Sequence, residues 1–290
     1  MTIVVTLKTY DGIVLGADSA STISVVGSDG REEEKNIFNN ANKILNIYKG
    51  LPLGFLSCGL GNVGYSSVCT LAKDFREKLS GDDPKWAIDP HSYTVLKVAE
   101  LARKFFYEDV YQPHYKEKEN PPVFEFFICG YSSESNLADA YSVLVEDGKC
   151  DPPKPLFKPG QFGIYPSGQP EAIYRLIRGF DWESMHQWLT DGKIPEEEAS
   201  GILGSLEAWC WKDLHTASMP VQDSIDLVRF LLDLTCQYVR FRPGSPTVGG
   251  PLEIAAITKH EGFRWIQRKL YFDLSLNPKV EKGIPKEVLK

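Results

Sequence analysis

The chain has few of the residues that build metal or disulfide sites. Its five histidines (His91, His114, His186, His215 and His260) never fall in an H-x-x-x-H or H-E-x-x-H spacing, and its six cysteines never form C-x-x-C. Zinc sites draw on such short, convergent spacings, so no metal is expected. Six irregularly placed cysteines in 290 residues are also too few for a disulfide framework. A reducing compartment is therefore expected, with the cytoplasm as the location. No run of eighteen apolar residues occurs, so no membrane span is expected. The opening residues Met1-Thr2-Ile3-Val4-Val5-Thr6 carry no basic stretch ahead of an apolar one, which argues against a signal peptide. Basic charge is short as well: 32 Lys and Arg stand against 39 Asp and Glu, a net charge of −7. That balance gives no electrostatic footprint for nucleic acid. Neither nucleic acid nor a membrane is expected as a partner.

What is present is ordinary globular material: 42% hydrophobic, 24% charged and 12% aromatic residues, enough to bury a core. One domain is expected over residues 1–270, with a helical expansion around 181–218 and a loosely held tail over 271–290. Thr2 to Lys8 alternates with β-branched residues, Asp11-Gly12 is a turn signal, and Ile13 to Ala17 is a second strand. Polar, Glu-rich Ser28 to Asn40 reads as a solvated loop. Lys43 to Tyr48 and Gly54 to Gly59 read as strands, and Tyr65 to Leu79 and Ser92 to Tyr107 as helices. Val123 to Cys129 and Ala138 to Val145 read as partner strands, and Gly163 to Tyr165 as a short one. Pro170 to Ile177, Asp181 to Trp211 and Val221 to Val239 read as helices, and 252–258 with 263–269 as a last hairpin. Helices grouped between antiparallel hairpins predict an α+β fold in which two sheets carry helices on both outer faces.

Thr2 is the first chemical candidate. A small second residue is the usual condition for removal of Met1, which would leave a threonine with a free amine. That residue carries a hydroxyl nucleophile and an amine of ordinary pKa about 7.7–8.0, able to act as base for its own hydroxyl. The plain alternative is that Thr2 only begins a strand.

From Thr2 to Thr22 the stretch T-I-V-V-T-L-K-T-Y-D-G-I-V-L-G-A-D-S-A-S-T closely resembles the opening of proteasome β-subunits: a Thr-led strand, an Asp-Gly turn, then V-L-x-A-D. The resemblance puts Asp18 on the catalytic aspartate. Asn42-Lys43-Ile44-Leu45-Asn46-Ile47 is similar to the family's K-I-x-x-I strand, which puts Lys43 on the catalytic lysine. Ser57-Cys58-Gly59 resembles the segment whose glycine N–H joins the oxyanion hole, so Gly59 inherits that role. Phe126 to Tyr131 is similar to a central strand, and Pro166-Ser167-Gly168 resembles the element holding the catalytic serine, here Ser167. Near the C-terminal hairpin the family carries a second aspartate and a hydroxyl residue before a Gly-Gly pair. This sequence keeps Gly249-Gly250 but has Ser245 about where the aspartate belongs, with Ser245 or Thr247 left to supply the hydroxyl.

The resemblance implies a divergent, bacterial-type proteasome homologue with a four-layer αββα sandwich. It would be a threonine peptidase without a cofactor, acting on peptides or unfolded protein. The helical faces imply a homo-oligomeric ring or stacked assembly, with an ATP-dependent unfoldase as a candidate partner. A small-molecule amidase of the same fold and an inactive structural ring subunit are the rival readings. Other motifs weigh less. Gly59-Leu60-Gly61-Asn62-Val63-Gly64 spells G-x-G-x-x-G, but its strands read as hairpin partners and not as a βαβ unit. Trp182, Trp188, Trp209 and Trp211 read as helical core or subunit packing. Cys58 and Cys129 read as buried fillers.

Overall fold

A computed structural model describes residues 2–26 and 32–269. The expectations for Met1 and for the tail over 271–290 lie outside the described residues. The chain begins with β1 (Ile3–Lys8) and β2 (Ile13–Ala17), turned by the segment that holds Asp11-Gly12. After them come β3 (Ser21–Val26), β4 (Glu32–Phe38), β5 (Ile44–Asn46) and β6 (Leu53–Cys58). Two miniature strands, β7 (Asn62–Val63) and β8 (Ser66–Ser67), lead into α1 (Val68–Leu79) and α2 (Val95–Arg103). α2 continues as a π-helical stretch (Lys104–Tyr111) into α3 (Gln112–Tyr115). β9 (Phe124–Gly130), β10 (Asp139–Glu146), β11 (Lys149–Cys150), β12 (Lys154–Pro155) and β13 (Gly163–Gly168) follow. The last third holds α4 (Glu171–Arg178), α5 (Trp182–Asp191), α6 (Glu196–Cys210), α7 (Val221–Phe241), β14 (Glu253–Thr258) and β15 (Gly262–Gln267).

Two antiparallel sheets result. One has the order β13-β1-β2-β14-β15; the other runs β11-β10-β9-β6-β5, with β12 also paired to β10. The period-two alternation of the strands sorts their side chains into layers. On β1, Ile3, Val5 and Leu7 face α4 and α7 in one core, while Val4 joins Leu15, Ala17, Leu56 and Phe127 in a second core between the sheets. On β9, Phe124, Phe126 and Ile128 face a third core, roofed by α1, α2 and the π-helical stretch. Each sheet is thus apolar on both sides, and the expected four-layer αββα sandwich is observed.

Helix ends follow local chemistry. Ser67, Thr94 and Asp181 cap α1, α2 and α5 by accepting from the amides of Thr70, Lys97 and Ser184. On α7, Ile225, Val228, Leu231, Leu232 and Thr235 recur at helical spacing and form its buried stripe against the first sheet.

Several expectations need correction. The presumed loop over 28–40 contains β4, paired antiparallel with β3. Its glutamates are poor strand formers, and it takes its conformation from the partner strand. The helix expected from Tyr65 begins at Val68, because residues 62–67 fold back as β7 and β8. The helix over 92–107 turns π-helical where the adjacent rings of Phe105 and Phe106 both enter the core. Asp181 to Trp211 is two helices broken at residues 192–195, sharing a small core of Phe180, Leu189, Ala199 and Leu203. Within that expansion Trp182 packs on this core, whereas Trp188 (67%) and Trp209 (88%) stay exposed.

Candidate active site

Asp18 follows the end of β2 and is fully buried. Its Oδ1 accepts from the amide of Ile3 at 3.1 Å and from Lys43 Nζ at 2.5 Å. Its Oδ2 accepts from the amides of Ala20 and Gly249, both at 3.0 Å. One carboxylate therefore ties the residue after Thr2 to the lysine and to the Gly-Gly loop. Both Asp18 and Lys43 are buried. Lys43 is 7% exposed, its carbonyl accepts from Ser57 N at 3.0 Å, and its amide donates to Glu253 Oε2 at 3.2 Å. Burial pulls the Lys43 ammonium below its ordinary range, and the charge and hydrogen bond of Asp18 oppose that pull.

A second buried cation stands behind the first. Lys269 Nζ donates to Ser19 Oγ at 2.7 Å and to the carbonyl of Ala41 at 2.5 Å. It lies 3.2 Å from Glu253 Oε1, close enough for an ion pair although that oxygen has no well-directed hydrogen bond. Burial lowers the Lys269 ammonium too, with Glu253 opposing. Glu253 thus fixes the backbone of Lys43 with one oxygen and holds a neighbouring ammonium with the other.

Thr2 is 6% exposed and lines a cavity of about 390 Å³ together with Lys43, Ser57, Gly59 and Ala20. Gly59 sits just past β6 with φ +85°, where a Cβ would lie 2.5 Å from the carbonyl oxygen of Val123. That position suits a backbone that passes close to a ligand. Across β1, Val4 pairs with Ser167 and Ile3 with Gly168. Opposed residues of an antiparallel pair point to one face, so Ser167 projects on the side of Val4, into the layer between the sheets. Gly168 has φ +91°, and a side chain there would strike the carbonyl of Thr2. Gly168→Ala is therefore expected to cost about 1–3 kcal/mol in backbone strain alone and to push the start of β1 aside. Urea denaturation of this variant should show the loss. Unchanged stability would mean that the start of β1 is indifferent to its partner strand.

The Ser167 hydroxyl donates to Glu125 Oε2. Glu125 Oε1 accepts from Ser142 Oγ at 2.8 Å. Cys58 Sγ lies 3.6 Å from Glu125 Oε2 and 3.7 Å from Ser167 Oγ. Burial first, and the Glu125 carboxylate second, push the Cys58 thiol up to about 12, so it is protonated at neutral pH and no nucleophile.

The structure does not bring Ser245 to the cavity of Thr2. Ser245 is exposed and, with buried Thr247, lines a larger cavity of about 740 Å³ against α4, α5 and α7. Thr247 Oγ1 donates to Gln169 Oε1 at 3.4 Å. The smaller cavity is the one that holds Thr2 and Lys43 together. Sequence reasoning missed Glu125, Glu253 and Lys269. The two glutamates did leave a signal: each is the lone charge in an apolar strand, V-F-E-F-F-I-C and P-L-E-I-A-A-I. Such a charge is expensive to bury unless it is partnered. Lys269 left none.

No protein-family model matches the chain, and no curated protein matches it. Solved structures do. A mutant of Anbu from Hyphomicrobium sp. strain MC1 is 13% identical with a TM-score of 0.52, covering 93% of this chain and 86% of that one. The helical assembly of the Anbu complex from Pseudomonas aeruginosa is 13% identical with a TM-score of 0.50, covering 95% and 89%. Anbu (ancestral beta-subunit) from Yersinia bercovieri is 10% identical with a TM-score of 0.47, covering 93% and 88%. At such identities the likeness is one of fold. The sequence-based assignment to proteasome β-subunits, as a divergent bacterial-type homologue, is corrected by these matches, which are to Anbu proteins. The reason is that the sequence reading rested on short segments, whereas these matches compare the layered fold over 93–95% of the chain. No helix among the described residues is long and apolar enough to cross a membrane.

Proposed function

We propose that this chain is an N-terminal-nucleophile hydrolase that cleaves amide bonds with Thr2 once Met1 is removed. The observation that carries the reading is the shared oxygen of Asp18, which accepts both from Lys43 Nζ and from the amide of the residue next to Thr2. In this mechanism the Thr2 hydroxyl attacks the carbonyl carbon and its proton passes to the Thr2 amine. The Lys43 ammonium, a like charge, keeps that amine neutral enough to accept it. The Gly59 N–H donates to the developing oxyanion, a contact worth about 3–4 kcal/mol in comparable sites. Collapse expels the leaving amine, which takes the proton back, and water then releases the acyl group from Thr2. Ser167 holds the amine by accepting from it.

Peptides are the proposed substrates. A small-molecule amidase is the second reading, and the cavity favours it: about 390 Å³, with Ser57, Asn42 and Thr70 on its walls, suits one modest polar group. Fluorogenic peptides tested beside simple amides separate the two. An inactive ring subunit fits less well, because Thr2, Lys43 and Gly59 converge on one cavity. The decisive experiment is intact-mass and peptide mapping after incubation with a β-lactone probe. A mature chain lacking Met1, with the adduct on Thr2, is the expected result. A retained Met1, or an adduct elsewhere, overturns the reading.

A homo-oligomer is proposed as well. Trp188, Trp209 and Phe241 are exposed aromatics on the helical side of the molecule, the kind of surface that subunits cover. One of the matched structures is itself an assembly. An ATP-dependent unfoldase would be the partner for folded substrates. Light scattering at micromolar concentration should give a mass several times that of one chain; a clean 32.6 kDa species would refute assembly.

A further inference from the structure

Glu125 is a carboxylate without a role in the steps above. It stands in the centre of the second sheet, on the face of β9 turned toward the other sheet, and is 9% exposed. Every group around it is oriented toward it as a donor or held near it. Ser142 on β10 donates to Oε1, Ser167 on β13 donates to Oε2, and the Cys58 thiol on β6 lies against the same Oε2. Tyr165 on β13 and Tyr174 on α4 complete the titratable surroundings, and both feel its charge as a raised phenol pKa, behind a larger effect of burial. A hydroxyl carries one proton and two lone pairs. While the Ser167 hydroxyl donates its hydrogen bond to Glu125, its oxygen can only accept from anything else that approaches, and the face it presents is the one shared with Val4 and the start of β1.

We propose that Glu125 is the positioning residue of this site: by accepting the hydrogen bond that the Ser167 hydroxyl donates, it fixes Ser167 Oγ as an acceptor for the Thr2 amine and supplies the carboxylate that the C-terminal Gly-Gly segment lacks. The inference rests on the Thr2 reading. It assigns the supporting carboxylate to a strand of the opposite sheet, reached across the sandwich interior, in place of the neighbourhood of Ser245. The buried negative charge has a second consequence. It favours the protonated form of a nearby amine, opposing Lys43 and Lys269 on the other side. The working pKa of the Thr2 amine is then a balance of Glu125 and Asp18 against Lys43 and Lys269.

The test compares the wild-type chain, Glu125→Gln, Ser167→Ala and the double variant for the rate of Thr2 acylation by a β-lactone across pH. Glutamine keeps the shape and removes the charge. Acylation by Glu125→Gln should slow by roughly 10²-fold, with reversible binding of the probe unchanged. The acid limb of its pH profile should move to lower pH, because the amine loses a favourable anion. Since Glu125 acts through Ser167, the double variant should be no slower than Ser167→Ala alone. A wild-type chain that is not acylated at Thr2 refutes the Thr2 reading and this inference with it. Wild-type acylation with an unchanged rate and pH profile in Glu125→Gln refutes this inference alone, as does full additivity in the double variant. Should Glu125→Gln fail to fold, Ser142→Ala loosens the same carboxylate without stranding a charge. A severalfold slower acylation with a shifted acid limb supports the proposal, and wild-type behaviour overturns it.

Discussion

Thr2→Ala is expected to lower amide hydrolysis by about 10⁴-fold or more, while the fold survives. Removing a nucleophile removes the covalent route entirely, so the loss is set by what binding and the oxyanion donor achieve without it. The structural cost is small by comparison. Thr2 precedes β1, and the ladder of β1 to β2 and β13 begins at Ile3 and Val4, so no strand pairing depends on its side chain. A stability change within about 1 kcal/mol is expected. Thr2→Ser keeps both hydroxyl and amine and should retain measurable turnover. The two variants, assayed with the same peptides and checked by intact mass for loss of Met1, separate chemistry from folding. If Thr2→Ala hydrolyses at the wild-type rate, the catalytic group lies elsewhere and the cavity beside Lys43 is a bystander.

The parts of this design that were legible in the sequence are those written in short, regular patterns. A β-branched run from Ile3 to Thr6 and an Asp-Gly turn specify a hairpin locally, and it appears with almost the expected bounds. Thr2, Asp18 and Lys43 stood out because the resemblance tied them to two short segments, 2–22 and 42–47. Glu32–Phe38 was illegible because three consecutive glutamates carry no strand preference, and pairing with β3 decides the matter. The family itself was misread because the reading rested on short local segments, whereas the likeness to Anbu structures lies in the fold of nearly the whole chain. Within the site, Ser167 was legible as a residue but not as a donor. Its direction is set by Glu125, forty-two positions earlier, and such a contact has no local signature. Glu253 reaches Lys43 across 210 positions. A lone glutamate amid valine, isoleucine and phenylalanine tells the reader that a partner exists, and only the sheet register says which.

Asp18→Asn is expected to damage both stability and rate, and the stability loss should depend on pH in a definite sense. The carboxylate accepts from four donors, two on each oxygen. An asparagine turns one of those oxygens into an NH₂ group, so in either orientation two donors meet a donor in a buried place. Lys43 also loses its counter-charge while remaining buried, and breaking a buried pair in this way costs about 3–5 kcal/mol. The folded-state pKa of Lys43 already lies below 10.5 through burial, with Asp18 holding it up; in the variant it falls further. Between that lowered value and 10.5 the unfolded chain holds a proton that the folded chain has released, so stability rises with pH across this window. Below the window both states are protonated and the full penalty applies. The gap between Asp18→Asn and wild type, measured by urea denaturation, should therefore be widest at mildly acidic pH and narrow toward alkaline pH, as neutral Lys43 ceases to need a partner. Hydrolysis should fall by about 10²-fold or more at every pH, because an unanchored Ile3 amide no longer fixes the place of Thr2, and further above the lowered Lys43 pKa, where a neutral lysine no longer depresses the Thr2 amine. A stability gap that stays constant with pH would mean that Lys43 keeps its proton without Asp18, and that the pair is not the electrostatic unit on which the proposed nucleophile depends.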